Sequence, residues 1–154
     1  MTAPPTSRWG RWRALSPLQR RTVVVAWWLL PLVWLALWSF GLPRLRAWLT
    51  RRAMPRSTQA VTLDDAGALG RAVNIAADLS PFPVTCLTRS LLLEWWLRRK
   101  GVPSDLRIGV QLRDGAFRAH AWVECVGVPV NDRMDIALDF LPFDDFGHKA
   151  TFDR

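Results

Sequence analysis

The chain has little cysteine and, over its first sixty residues, no negative charge at all. Two cysteines in 154 residues do not make a disulfide framework, and no Cys-x-x-Cys or paired-His spacing offers a metal site. A reducing cytoplasm is the expected setting, and neither a metal nor a cofactor is expected. There is no glycine-rich phosphate loop and no recognisable nucleic-acid module, so nucleotide chemistry and nucleic-acid partners are set aside. Internal repeats are absent too. At this length one small domain with an appendage is expected.

The missing acids make the charge uneven. Residues 1–60 hold ten Arg and no Asp or Glu, whereas residues 61–154 hold eleven Lys/Arg and thirteen Asp/Glu. The net charge of +8 therefore belongs to the N-terminal segment, which also carries seven of the ten Trp. By charge alone such a segment suits anionic lipid, nucleic acid or an acidic protein surface.

The composition divides the chain into four stretches. Residues 1–17 form a basic Pro/Ser/Arg/Trp tail in which Trp9 and Trp12 are able to touch a surface. Residues 18–52 form an apolar Trp/Arg-rich helical segment. Residues 53–60 read as a linker, and residues 61–154 as the compact domain. Within the second stretch, residues 22–43 carry no charge and are long enough to cross a membrane. No small-x-small cleavage site follows, which argues against a signal peptide. Pro31 is expected to kink the helix. Two readings stand: a membrane span, or a bent helical pair with Trp27, Trp34 and Trp38 on one face, docking on the domain, a partner or the inner membrane surface.

Thr62 or Asp64 can cap a helix over about 64–78, with Leu69, Val73 and Ala76-Ala77 inward. Pro81 and Pro83 break it. From Cys86 the pattern turns helical again and runs to a basic last turn, Arg98-Arg99-Lys100, stopped by Gly101. Cys86 therefore sits at a helix N-terminus. The dipole and unpaired N–H groups there favour a thiolate and are suited to hold an oxyanion.

Residues 105–113 alternate, with Leu106, Ile108, Val110 and Leu112 on one side. Asp114-Gly115 signals a tight hairpin. A second strand over about 117–126 sets Phe117, Ala119, Ala121, Val123 and Cys125 on one face. Arg118, His120, Trp122 and Glu124 share the other. Gly127 turns the chain into a third strand through Asp132. The expected fold class is α+β: helices packed on a small antiparallel sheet.

Cys86, His120 and an acid then suit nucleophilic catalysis: thiolate, general base and orienting carboxylate. Cys125 lies on the face opposite His120 and reads as core. His148 reads as a surface residue. Asp132, Asp135 and Asp139 compete for the third place. Asp132 reaches the His120 face of a neighbouring strand only in a register whose paired numbers sum to an even value. That requires a three-residue loop near 126–128, not a two-residue one. Arg89 is expected to anchor its helix to Asp78 or Glu94. Trp122 either shields the imidazole, lines a groove or covers the core, and Glu124 is a supporting candidate.

Cys86-Leu-x-Arg-Ser90, Leu106-Arg-Ile-Gly-Val110, Ala119-His-Ala-Trp-Val-Glu124 and Asp132 together resemble the B-type leader peptidases of lasso-peptide biosynthesis. These are transglutaminase-like cysteine proteases. The likeness covers about residues 61–143. The His-Ala-Trp-Val-Glu piece is common to transglutaminase-like folds, and the Cys-Leu-x-Arg-Ser piece favours the lasso branch. Leu42-Pro-Arg-Leu-Arg-Ala-Trp-Leu49 is similar to the turn that ends their N-terminal helical region, although the long uncharged run departs from that pattern. The resemblance implies a papain-like, transglutaminase-like domain and a Cys86–His120–Asp132 triad, with Asp132 at the family position. It also implies removal of the leader from a ribosomally made lasso precursor peptide. Its implied partners are a separate leader-binding protein and an ATP-dependent, asparagine-synthetase-like cyclase. Acyl transfer to an amine and a non-enzymatic membrane-associated scaffold are the alternatives.

Overall fold

The computed structural model describes residues 15–53, 61–113 and 115–142. The expected tail, most of the linker, Asp114 and His148 lie outside or largely outside these ranges. The first element is a long helix, α1 (Pro17–Arg52), opened by a capping box between Ser16 and Gln19. It does not break at Pro31. Its one non-helical residue is Gly41, at φ 72° and ψ 164°, a conformation that glycine adopts without steric cost. Pro43 follows in the next turn, where a missing N–H matters least. The expected kink is therefore real but lies ten residues further on.

Helix α2 (Leu63–Leu79) starts at Thr62, whose hydroxyl accepts from Asp65 N–H while the Asp65 carboxylate accepts from Thr62 N–H. Helix α3 (Cys86–Arg99) starts at Thr85, which caps Thr88 N–H. The three helices meet in one core. Val23, Ala26 and Leu30 of α1 are buried with Leu69, Val73 and Ala76 of α2 and with Leu91, Leu93 and Leu97 of α3. Trp27 Nε1 donates to the Leu79 carbonyl, fastening α1 to the end of α2. Glu94, 3% exposed, accepts from both Arg46 of α1 and Arg98. Arg98 also donates to Ser104 O, just before the sheet.

The sheet order is β3-β2-β1-β4, all antiparallel, with β1 (Asp105–Arg113), β2 (Ala116–Cys125), β3 (Val128–Pro129) and β4 (Leu141–Pro142). A short helix, α4 (Ile136–Asp139), precedes β4. The β1–β2 hairpin closes between Arg113 and Ala116, with Gly115 at φ 75°. Ala121, Val123 and Cys125 are buried as their alternation requires. Leu112 and Phe117, expected on the core side, are instead 63% and 79% exposed. They pair across the hairpin tip, beyond the reach of the helices.

The third strand is much shorter than expected. β2 and β3 pair Cys125 with Val128 around a two-residue turn, Val126-Gly127. Both turn residues have positive φ, 53° and 75°. That handedness matches the strand twist, at the cost of a β-branched residue in the left-handed region. The register is odd, not even, and the ladder ends at Pro129. From Val130 the chain bends away, so face alternation no longer governs residues 130–132.

Candidate active site

The abrupt end of β3 leaves the edge of β2 without a strand partner beyond Val123. One more backbone bond and then side chains complete that edge. Val123 O accepts from Val130 N–H, and Val123 N–H donates to Asn131 Oδ1 at 2.8 Å. Two residues on, Ala121 O accepts from the Ser90 hydroxyl at 3.0 Å, and Asn131 Nδ2 donates to that same hydroxyl at 3.0 Å. The Ala121 backbone also favours the Cys86 thiolate. One strand edge thus receives the bend and helix α3 in succession. All these groups are buried or half-buried, where an unpaired polar atom would cost about 1–3 kcal/mol.

Asn131 places its neighbour. With its side chain tied to β2 and its carbonyl accepting from Asn74 Nδ2 at 2.8 Å, Asp132 projects toward His120. Asp132 Oδ2 lies 2.6 Å from His120 Nε2. The two-residue loop that was expected to prevent this contact does not, because Asp132 is no longer part of the ladder. Helix α2 supports the bend from behind at Gly70, where a Cβ would fall 2.0 Å from the Val130 carbonyl oxygen.

Helix α3 presents Cys86, its first residue, half-buried at the other side of the imidazole. Thiol and imidazole lie close enough to shift one another's proton affinity. Since Nε2 is held by Asp132, Nδ1 is the nitrogen left for the sulfur. The His120 pKa is pushed up to about 9, first by the Asp132 hydrogen bond and then by Cys86, against a smaller effect of burial. The Cys86 pKa is lowered, chiefly by its hydrogen bond to His120, with help from the Ala121 and Leu87 backbone. For Asp132, burial works upward, but the bonds from His120 and Arg133 N–H, and the nearby His120 and Arg89 charges, bring its pKa down. All three shifts favour thiolate, imidazolium and carboxylate together.

The remaining sequence candidates take other places. Trp122 is fully buried and stacks on His120, ring centroids 6.3 Å apart at 20°. It therefore walls the imidazole and lines no open groove. Glu124 holds that wall, accepting from Trp122 Nε1 at 2.8 Å and from Arg107 Nε at 3.1 Å. Glu94, expected as an anchor for Arg89, is bonded to Arg46 and Arg98. The charge of Arg89 instead bears on Asp132. Asp135 and Asp139 both pair with Arg133 on the surface. Cys125 is buried, and burial raises its pKa.

Sequence reasoning missed three contributors. Phe140 flanks His120 at 5.1 Å between centroids. Ser90 was noticed only within a motif, and nothing in its local pattern announces a bond to a distant strand. Gly70 sits mid-helix, and an unexplained glycine there was the available signal of a close approach.

A family model described as the transglutaminase-like superfamily matches residues 26–143. The chain belongs to the transglutaminase-like superfamily. The match begins inside α1, consistent with the burial of that helix in the common core. No curated protein and no solved structure matches the chain. Membership of this transglutaminase-like superfamily places the protein in a generally enzymatic group that includes cysteine peptidases and acyltransferases.

Proposed function

We propose that the protein is a cysteine endopeptidase that removes the leader from a lasso precursor peptide. The observation that carries the chemistry is the grouping of Cys86, at the start of α3, with His120 and Asp132, the last two 2.6 Å apart. The lasso assignment rests on the likeness of Cys86-Leu-x-Arg-Ser90 and its companions to the B-type leader peptidases.

In this mechanism the Cys86 thiolate attacks the carbonyl carbon of the leader's last residue, forming a C–S bond. The carbonyl π electrons move to oxygen. The Cys86 N–H, at the open N-terminus of α3, faces the developing oxyanion. Collapse breaks the C–N bond, and the His120 imidazolium gives its proton to the departing core amine. Neutral His120 then takes a proton from water, which attacks the thioester. Collapse of the second tetrahedral adduct frees the leader acid, and thiolate and imidazolium are restored. Asp132 holds the ring orientation throughout and stabilises its charged form. A separate leader-binding protein delivers the substrate, and an ATP-dependent, asparagine-synthetase-like cyclase receives the freed amine.

Mass spectrometry of a lasso precursor incubated with its leader-binding protein and this enzyme tests the reading. A leader acid with wild type and none with Cys86→Ala is expected. A product carrying an added amine would make the reaction acyl transfer. Leader release by both proteins would remove Cys86 from the mechanism. A folded wild-type protein that forms no product would favour a non-enzymatic scaffold.

A further inference from the structure

Between Thr22 and Pro43 helix α1 is uncharged on every side, and only one side is used by the core. Val23, Ala26, Leu30 and Val33 pack inward. The 3.6-residue period places Val24, Trp28, Leu32 and Leu35 on the opposite side, with Trp38 on the flank just before the Gly41 bend. They are between 45% and 79% exposed, Trp38 the most. A soluble helix with one face in a core has a polar outer face. Here the stretch from Thr22 to Pro43 has no charge, about 33 Å at 1.5 Å per residue.

The ends of this stripe are cationic. Arg21 precedes it, and Arg44, Arg51 and Arg52 follow, all exposed. In the crook at Gly41 lies an apolar cleft of about 200 Å³ lined by Ala36, Phe40, Leu45 and Trp48, with Arg44 among its walls. Apolar walls beside a guanidinium suit an acyl chain beneath a phosphate. Protein–protein contacts typically mix polar and apolar surface, whereas this stripe carries one hydroxyl, Ser39, and is charged only at its ends. Trp concentrates where water meets hydrocarbon.

We propose that the outer face of α1 lies in the plane of an anionic lipid bilayer, with Trp28, Leu32, Leu35 and Trp38 in the acyl boundary and Arg21 and Arg44 on lipid phosphates. By length and composition the same helix is able to cross a membrane. A span would pull Ala26, Leu30 and Val33 out of the core they share with α2 and α3. In-plane binding keeps that core intact and leaves the Cys86 site attached to a surface-bound domain. The inference is independent of the reaction catalysed.

Co-sedimentation of the full chain with phosphatidylcholine vesicles, with and without phosphatidylglycerol, tests it. Selective binding to the phosphatidylglycerol vesicles is expected, with release by high salt and a blue-shifted Trp emission. Trp28→Ser/Trp38→Ser should weaken binding about tenfold or more. Arg44→Gln should weaken it about fivefold. Circular dichroism and the alkylation rate of Cys86 should stay at wild-type values in all of them. Equal binding to both vesicles with no release by salt would overturn the proposal in favour of a span. A folded protein that ignores both vesicles also overturns it. If that protein is a dimer separated by Trp28→Ser/Trp38→Ser, a second copy covers the stripe.

Discussion

Helix α3 carries a charged constellation at each end, and the two are built differently. At its C-terminal half, Glu94 is 3% exposed and held by two arginines, one from α1 and one from its own helix. Arg98 also donates to Ser104 O. At its N-terminus, Cys86 and His120 form a chain that ends in an open sulfur, and the side chains of His120 and Asp132 are 20% and 21% exposed. The first cluster ties three segments together. The second holds displaced proton affinities, with His120 at about 9 and Cys86 and Asp132 lowered. Anchoring and displaced proton affinity thus come from one helix, separated by how completely each group is surrounded.

The largest expected effect tests that separation. Asp132→Asn should lower kcat/KM on the order of 10²–10⁴-fold, because the ring loses its orienting charge. Thermal unfolding should change little beside that loss. A drop in stability with activity retained would make Asp132 an anchor like Glu94. The reverse substitution is Glu94→Gln. It should cost about 1–3 kcal/mol in denaturant unfolding, discounted from a fully buried pair because Arg46 is 42% exposed. Its alkylation rate at Cys86 should match wild type, and a large slowing would join the two ends.

Between these extremes lie the groups that place Asp132. Gly70→Ala puts a Cβ against the Val130 carbonyl, so the bend must move. A loss of about 1–3 kcal/mol is expected, together with a slower reaction at Cys86. Asn131→Ala strands the Val123 N–H and loosens Ser90, with a similar loss expected. An NMR titration should show His120 moving from about 9 back toward 6.5. An unmoved His120 would show that Asp132 keeps its place without Asn131.

The smallest effect is one of pH. Activity should rise as Cys86 ionises below its ordinary range and fall as His120 loses its proton near 9. For stability, the raised His120 pKa contributes fully below pH 6.5, and the contribution fades as pH climbs through the folded value. Asp132, lowered below 3.8, contributes above that pH and loses its effect as pH falls further. In Cys86→Ala, where thiol ionisation is absent, Tm should decline from pH 6.5 upward. Adding His120→Gln should remove the decline, and its persistence would assign the slope to other groups.

Periodicity and one cap make much of this protein legible in its sequence. Thr62 announces a helix start, the alternation from Leu106 announces a strand, and Cys86 falls at a helix N-terminus because prolines precede it. These are local properties, set by a few neighbouring residues and their backbone preferences. The membership of His120 in the opposite face from Cys125 follows from alternation alone. The position of Asp132 does not, because alternation holds only while a ladder continues, and Pro129 ends it. Whether β3 stops there depends on Ser90, Asn74 and Gly70, residues 40 to 60 positions away that take up the free edge and shape the bend. The kink moved from Pro31 to Gly41 for a related reason. Proline disfavours a helix only by one bond and one clash, which packing on α2 and α3 outweighs, whereas the left-handed backbone at Gly41 comes where the helix must turn to keep both Leu30 and Leu45 in one core. Local chemistry wrote the elements and the reactive residue types; long-range packing brought Cys86, His120 and Asp132 to one strand edge.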